Sequence, residues 1–360
     1  MTDIKRFSPE VLTEKADYGI FEKLEGTWVN HNPDNNKTGW GLFTICMPSP
    51  GTNSETIPGI FHFLIQNYTE ELTFTLVPGA VRNRGGANEQ FCGAIKYNQS
   101  IQDLKGNSLH EENGMYLMLN DIYNHPADEK SIKTDIGFTQ LEYGDGAVGP
   151  HYQPPYSISR SGTIPHGNTI LLLGSEKKGK SCKPNFPSGI AAWDVNHLSI
   201  SASMGLADTK KHGPIDLDED APEWVKDTSL PERDPNGNRT YTQRILADDL
   251  YPYSVRPDLR LRDAIQDQNI TGYHLIEMTS GEQGGPEGGI LNIPFLKRFT
   301  PTTEMNFKMW IETVLEDGVE FLQLQYEQIQ FFEFHFGSDG GTTRWPHIQV
   351  NTLRKKKEEV

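Results

Sequence analysis

The last quarter of the chain alternates apolar and polar residues one for one, and this period of two constrains the fold more than any other feature. Met305, Phe307, Met309 and Ile311 alternate with Asn306, Lys308 and Glu312, and Leu322, Leu324 and Tyr326 alternate with Gln323, Gln325 and Glu327. Successive side chains on a strand point to opposite faces, so such runs read as half-buried β-strands. The second run is expected to continue to Phe336, followed by a glycine-rich turn over 337–341 and a last strand over 344–353. Earlier in the chain the same pattern predicts strands over 42–47, 60–68, 72–76, 91–101, 114–119 and 169–173. With 34 glycines and 23 prolines, turns are plentiful and long helices are not expected. Strands at both ends of the chain imply a mainly β fold, an antiparallel barrel whose last strands pair with its first. Closure is the physical solution to exposed strand edges.

Residues 176–270 differ in character. They hold a lysine-rich stretch at 177–180, four acids between Asp216 and Asp220, and a proline- and asparagine-rich run at 231–238. Trp193, Trp224 and Tyr241 need a surface to pack on, so the segment reads as an insertion folded over the barrel. Near its end Asp258 is expected to cap a short helix over 259–270, with Leu259, Leu261, Ala264 and Ile265 as its apolar side. The expected organisation is an N-terminal arm (1–20), a barrel built from 21–175 and 271–354, the 176–270 insertion, and a charged tail (355–360).

Forty-nine acidic residues against 33 basic ones give a net charge of −16. Such a chain repels a phosphate backbone, which argues against nucleic acid as a partner. The only basic run, Arg354 to Lys357, is followed at once by Glu358 and Glu359 and reads as a solvated tail. Cys46, Cys92 and Cys182 are far apart and odd in number, and no apolar signal core opens the chain. Both point to a reducing cytoplasm without a disulfide framework. No apolar run is long enough for a membrane-spanning helix.

Two sets of motifs resemble known families. Residues 24–29 (LEGTWV), 322–327 (LQLQYE) and 344–355 (RWPHIQVNTLRK) are similar to the opening and closing strands of nitrobindin, a heme-binding barrel of the calycin group. Residues 82–86 (RNRGG), 112–117 (ENGMYL), 162–168 (GTIPHGN), 261–265 (LRDAI), 292–296 (NIPFL) and 345–347 (WPH) occur in the order found in FMP-type heme-binding, peroxidase-like proteins. The resemblance implies a nitrobindin-like barrel that binds heme b and carries out peroxidase-type oxidoreductase chemistry. It also implies that His347 is the iron ligand. Peroxide or another small molecule would be the partner, and a homodimer is compatible with this reading.

The residues themselves leave more open. His347 shares a strand face with Trp345, Gln349 and Asn351, while Ile348 and Val350 lie opposite. A plain apolar-inside reading therefore turns His347 to solvent. His166 lies between Pro165 and Gly167, where the glycine leaves space beside the ring for a flat macrocycle. It is a candidate catalytic distal residue, a second candidate ligand, or a loop histidine bonded to a carbonyl. Arg82 and Arg84 flank Asn83, and two guanidinium forks there suit carboxylates such as heme propionates at a cavity rim. His110 and the acids after it read as a solvated turn, and His62 as a core histidine. Three other readings stand beside the heme peroxidase. They are a lipocalin-like carrier of an apolar small molecule without catalysis, a heme-based NO or O2 binder, and a cofactor-free enzyme with His166 as general base.

Overall fold

A computed structural model describes residues 16–30, 41–48, 61–83, 88–124, 156–179, 183–184, 253, 257–281, 288–336 and 341–356. The described strands are β1 (Gly26–Asn30), β2 (Gly41–Pro48), β3 (Phe61–Leu76), β4 (Val81–Asn83), β5 (Asn88–Gln102), β6 (Ser108–Asn124), β7 (Ile158–Ile164), β8 (Asn168–Lys178), β9 (Asn269–Thr279), β10 (Gly289–Asn292), β11 (Thr302–Glu316), β12 (Val319–Phe336) and β13 (Gly341–Lys355). Among the described residues three short helices accompany them: α1 (Phe21–Leu24), α2 (Asp258–Ala264) and α3 (Pro294–Phe299).

The strands close into an antiparallel barrel of ten positions in which chain neighbours are sheet neighbours. One position is shared. β1 pairs Trp28 with Leu72 of β3 and Lys355 of β13. Further along the same gap, β2 pairs Leu42 with Asn67 of β3 and Val350 of β13. The first and last strands therefore meet as expected, and the architecture is consistent with a nitrobindin-like calycin barrel. β4 and β10 are short flanking strands on β5 and β8. Asp317 and Gly318 join β11 to β12 with φ of 53° and 79°, the left-handed pair that a two-residue hairpin requires.

Several strands run longer than their local patterns suggest. The separate runs over 60–68 and 72–76 form one strand, β3, and the run over 114–119 is the middle of β6. The predicted helix over 259–270 is shorter, ending at Ala264. Its N-cap position is Pro257, and no side chain caps it. Asp258 stands inside the first turn instead, where its carboxylate faces the positive end of the helix. Residues 185–252, which hold most of the insertion, and residues 1–15 of the N-terminal arm lie outside the described residues.

Two apolar clusters divide the barrel wall. Inside, Trp28, Leu72, Phe74, Ile95, Tyr116, Ile158, Leu172, Met309, Ile311 and Leu324 form a cluster that extends through Phe307 and Ile170. α1 packs Phe21 and Leu24 against this cluster, and the Trp28 indole donates to the Leu24 carbonyl at 2.7 Å. Each large side chain fully buried here contributes about 1.5–3 kcal/mol. Outside, Leu42, Trp310, Ile348 and Val350 pack with Leu261 and Ile265 from α2 and the turn that follows it. The apolar parity of β13 thus faces outward under a helix, and its polar parity faces the interior. His347 is not turned to solvent in the way the alternation implied.

Candidate ligand site at the histidine end of the barrel

A buried polar network interrupts the apolar interior on the side away from α1. Its centre is Arg160 on β7, 2% exposed at the side chain, against Glu112 on β6, which is fully buried. The guanidinium donates to Glu112 at 2.6 Å, to the Tyr97 hydroxyl at 3.2 Å and to Gln328 at 3.1 Å. Its cationic carbon also lies 4.5 Å from the Phe307 ring centre. Tyr97 donates to Glu112 at 2.5 Å. Burial alone would raise the Glu112 pKa, but Arg160, His110 and the Tyr97 hydroxyl outweigh it and bring the carboxyl down to about 2. The pair is therefore ionised at neutral pH.

Two glycines make room for this arrangement. Gly114 and Gly162 are partners across β6 and β7. A Cβ on Gly162 would lie 2.2 Å from the Tyr97 hydroxyl, and one on Gly114 would lie 2.7 Å from the Tyr97 ring. Only the absence of a side chain lets the phenol reach Glu112.

A second buried carboxylate lies further round the wall. Glu70 accepts from Gln99, Tyr326 and Asn351, each at 2.6 Å. Burial pushes its pKa up, and these three donors together with nearby His110 only partly offset the rise. Tyr326 and Tyr68 share a hydroxyl contact of 2.9 Å, and burial holds both phenols well above the ordinary tyrosine range. Gln349 bridges the two centres, accepting from Gln328 at 3.4 Å and donating to Tyr326 at 3.2 Å.

Beyond this polar layer three histidines converge. The His110 ring lies 5.3 Å from the His166 ring, and its Nε2 is 3.4 Å from Glu112. His347 stands half-buried between Phe43, edge-on at 5.9 Å, and Phe332, stacked at 5.8 Å. Burial, then the charges of His110 and His166, push the His347 imidazole down to about 3. It is neutral at physiological pH. Burial and His110 also lower the His166 pKa, against a backbone hydrogen bond at Leu109.

The structure brings His347 and His166 to the same end, and it adds His110, for which the sequence implies a solvated turn. That stretch is instead part of β6, with Glu112 among the most deeply buried charges in the protein. Gly167 has φ +103°, and its free space is taken by Ile293 and Leu296 rather than left for a macrocycle. Arg82 is placed on β4. Its backbone pairs with Phe91, whereas His110 pairs with Ile101. Ten residues of extended strand, about 33 Å, separate those positions along β5. Arg84 lies outside the described residues. His62 is on β3 opposite Met47.

Tyr97, Arg160 and Glu70 carried no motif of their own, and Tyr326 stood in the 322–327 motif without a role assigned to it. The available signal was the alternation of His110, Glu112, Gly114 and Tyr116, a strand face whose glycine leaves room for a large neighbour. Among the described residues no group of three or more His, Cys, Asp or Glu side chains is placed to hold a metal ion. Comparison with protein-family models, curated proteins and solved structures finds no match, so the reading of this site rests on its own geometry.

Proposed function

We propose that this barrel binds an apolar small molecule at its histidine end and carries it without chemical conversion. The observation behind this reading is His347, an uncharged, half-buried imidazole presented between two phenyl rings. Such a surface joins aromatic rings to a few polar handles, His347 with His110 and His166 nearby, as ligand sites in small barrels commonly do. Carriage is favoured over catalysis because Arg160, Glu112, Tyr97, Glu70 and Tyr326 satisfy one another. Groups locked into a closed network are poorly placed to exchange protons with a substrate. Titration with the fluorescent apolar probe anilinonaphthalene sulfonate tests this reading. One saturable site, weakened in His347→Ala and Phe332→Ala, is the expected result, and an absence of saturable binding would refute it.

A second reading, heme b with peroxidase-type or gas-ligand activity, is favoured by the same imidazole. Heme iron needs one axial side chain, commonly a neutral histidine, so the charge state of His347 fits that role. Heme would supply an iron able to bind peroxide, NO or O2. In this chain His347 would hold it, Phe43 and Phe332 would flank it, and His166 and His110 would be the nearby proton acceptors, with Glu112 behind His110. Hemin compared with metal-free protoporphyrin separates the readings. A carrier binds both alike, whereas iron ligation gives hemin an advantage that His347→Ala removes.

A further inference from the structure

The rim beside the histidines carries a surface that the barrel itself does not use. Leu291 is 74% exposed, Phe295 66%, and Ile293 and Phe299 49% each. No residue of α3 is buried, and the Phe295 and Phe299 rings lie 5.0 Å apart as one apolar ridge. Single exposed hydrophobics are ordinary, but four within the nine residues 291–299 mark an interaction surface. The ridge is held rigidly. Asn292 accepts from Asn168 at 2.6 Å and from the Thr302 amide at 2.9 Å, and donates to the Thr302 carbonyl at 2.9 Å. The Ile293 amide donates to the Gly167 carbonyl at 2.9 Å, next to His166.

We propose that this β10–α3 ridge docks on an anionic lipid surface. Charge selects that occupant. Residues 288–303 contain no acid, in a chain with 49 of them. The two cations in the stretch, Lys297 and Arg298, are exposed between the phenylalanines, with Arg298 5.3 Å over the Phe299 ring. Apolar side chains enter the boundary of the acyl region while neighbouring cations meet lipid phosphates. A second copy docking through the same face would set these cations against each other. With a net charge of −16 the chain as a whole is repelled by an anionic surface, so docking depends on a local face that sets cations beside apolar side chains. Docking here sets the histidine end against a lipid phase, yet it requires no bound ligand and so stands or falls separately from ligand binding.

The test is cosedimentation of the full chain with vesicles of phosphatidylcholine mixed with phosphatidylserine, and with phosphatidylcholine alone, at low and high salt. The protein is expected to sediment with the mixed vesicles and to be released by salt. Lys297→Gln with Arg298→Gln should weaken binding by roughly tenfold to thirtyfold at low salt. Phe295→Ser with Phe299→Ser should abolish it, with an unchanged circular dichroism spectrum. Failure of the wild-type chain to sediment with mixed vesicles would overturn the proposal, as would equal sedimentation of the phenylalanine variant. Self-association of the wild-type chain in the ultracentrifuge, lost in that variant, would assign the ridge to a contact between copies instead.

Discussion

Replacing Glu112 by Gln leaves the shape of the barrel interior intact and removes one charge. Arg160 is then a buried guanidinium without a counter-ion, surrounded by the Phe307, Tyr97 and Tyr116 rings. Breaking a buried pair from one side costs about 3–5 kcal/mol. Proton linkage gives an independent figure. The Glu112 carboxyl falls from 4.5 to about 2 on folding, and at about 1.4 kcal/mol per unit this contributes about 3 kcal/mol. Because the folded value is depressed, the contribution is fully present above pH 4.5 and is lost as pH falls towards 2. Urea unfolding followed by tryptophan fluorescence should therefore show Glu112→Gln about 3–5 kcal/mol less stable than wild type at pH 7, with the gap narrowing in acid. The double variant Glu112→Leu with Arg160→Met removes both charges and should recover much of the loss. A Glu112→Gln variant within about 1 kcal/mol of wild type at pH 7 would refute the reasoning. So would a double variant weaker than either single one.

Three further outcomes follow from other parts of the barrel. Gly162→Ala places a Cβ against the Tyr97 hydroxyl and Glu112 and should cost about 1–3 kcal/mol in urea unfolding, whereas Gly272→Ala, which meets nothing within 4 Å, should stay close to wild type. Glu312 is fully buried, accepts from Gln323, and is raised to about 8 by burial. Its folded state therefore holds a proton that the unfolded chain releases between pH 4.5 and 8, so stability falls as pH rises through that window. Glu312→Gln should gain on wild type at pH 8 by on the order of a few kcal/mol relative to pH 5. His347 titrates the other way. With a folded value of about 3 against 6.5, its contribution is complete above pH 6.5 and is lost as pH falls towards 3. His347→Gln should flatten the acid limb of a stability–pH curve.

The strands were legible where one face is apolar and the other polar, as on β11 and β12. They were foreshortened on β3 and β6, where interior positions turn polar. There Glu70 and Glu112 interrupt the apolar register, although the strand continues. The same inversion concealed the site. Gln349 and Asn351 are interior residues held by Tyr326 and Glu70, and Ile348 and Val350 are exterior residues covered by Leu261 and Ile265. Local alternation gives two faces but does not label them, and the helix that covers the outer face lies some 85 residues earlier in the chain. Apart from His110 on the same strand, the hydrogen-bond partners of Glu112 are Tyr97 on β5 and Arg160 on β7, so no spacing within one segment reveals them. The convergence of His110, His166 and His347 likewise depends on closure of the whole barrel.

A small molecule held at the histidine end through His347 must perturb that imidazole. The most direct measurement is the imidazole NMR spectrum of the isotope-labelled chain during titration with anilinonaphthalene sulfonate, the His347 signal being the one missing from His347→Ala. This signal should shift saturably, along the same curve as probe fluorescence, while signals from Phe21 and Leu24 at the α1 end stay fixed. Saturable fluorescence with an unmoved His347 signal would contradict it and place the ligand elsewhere on the protein.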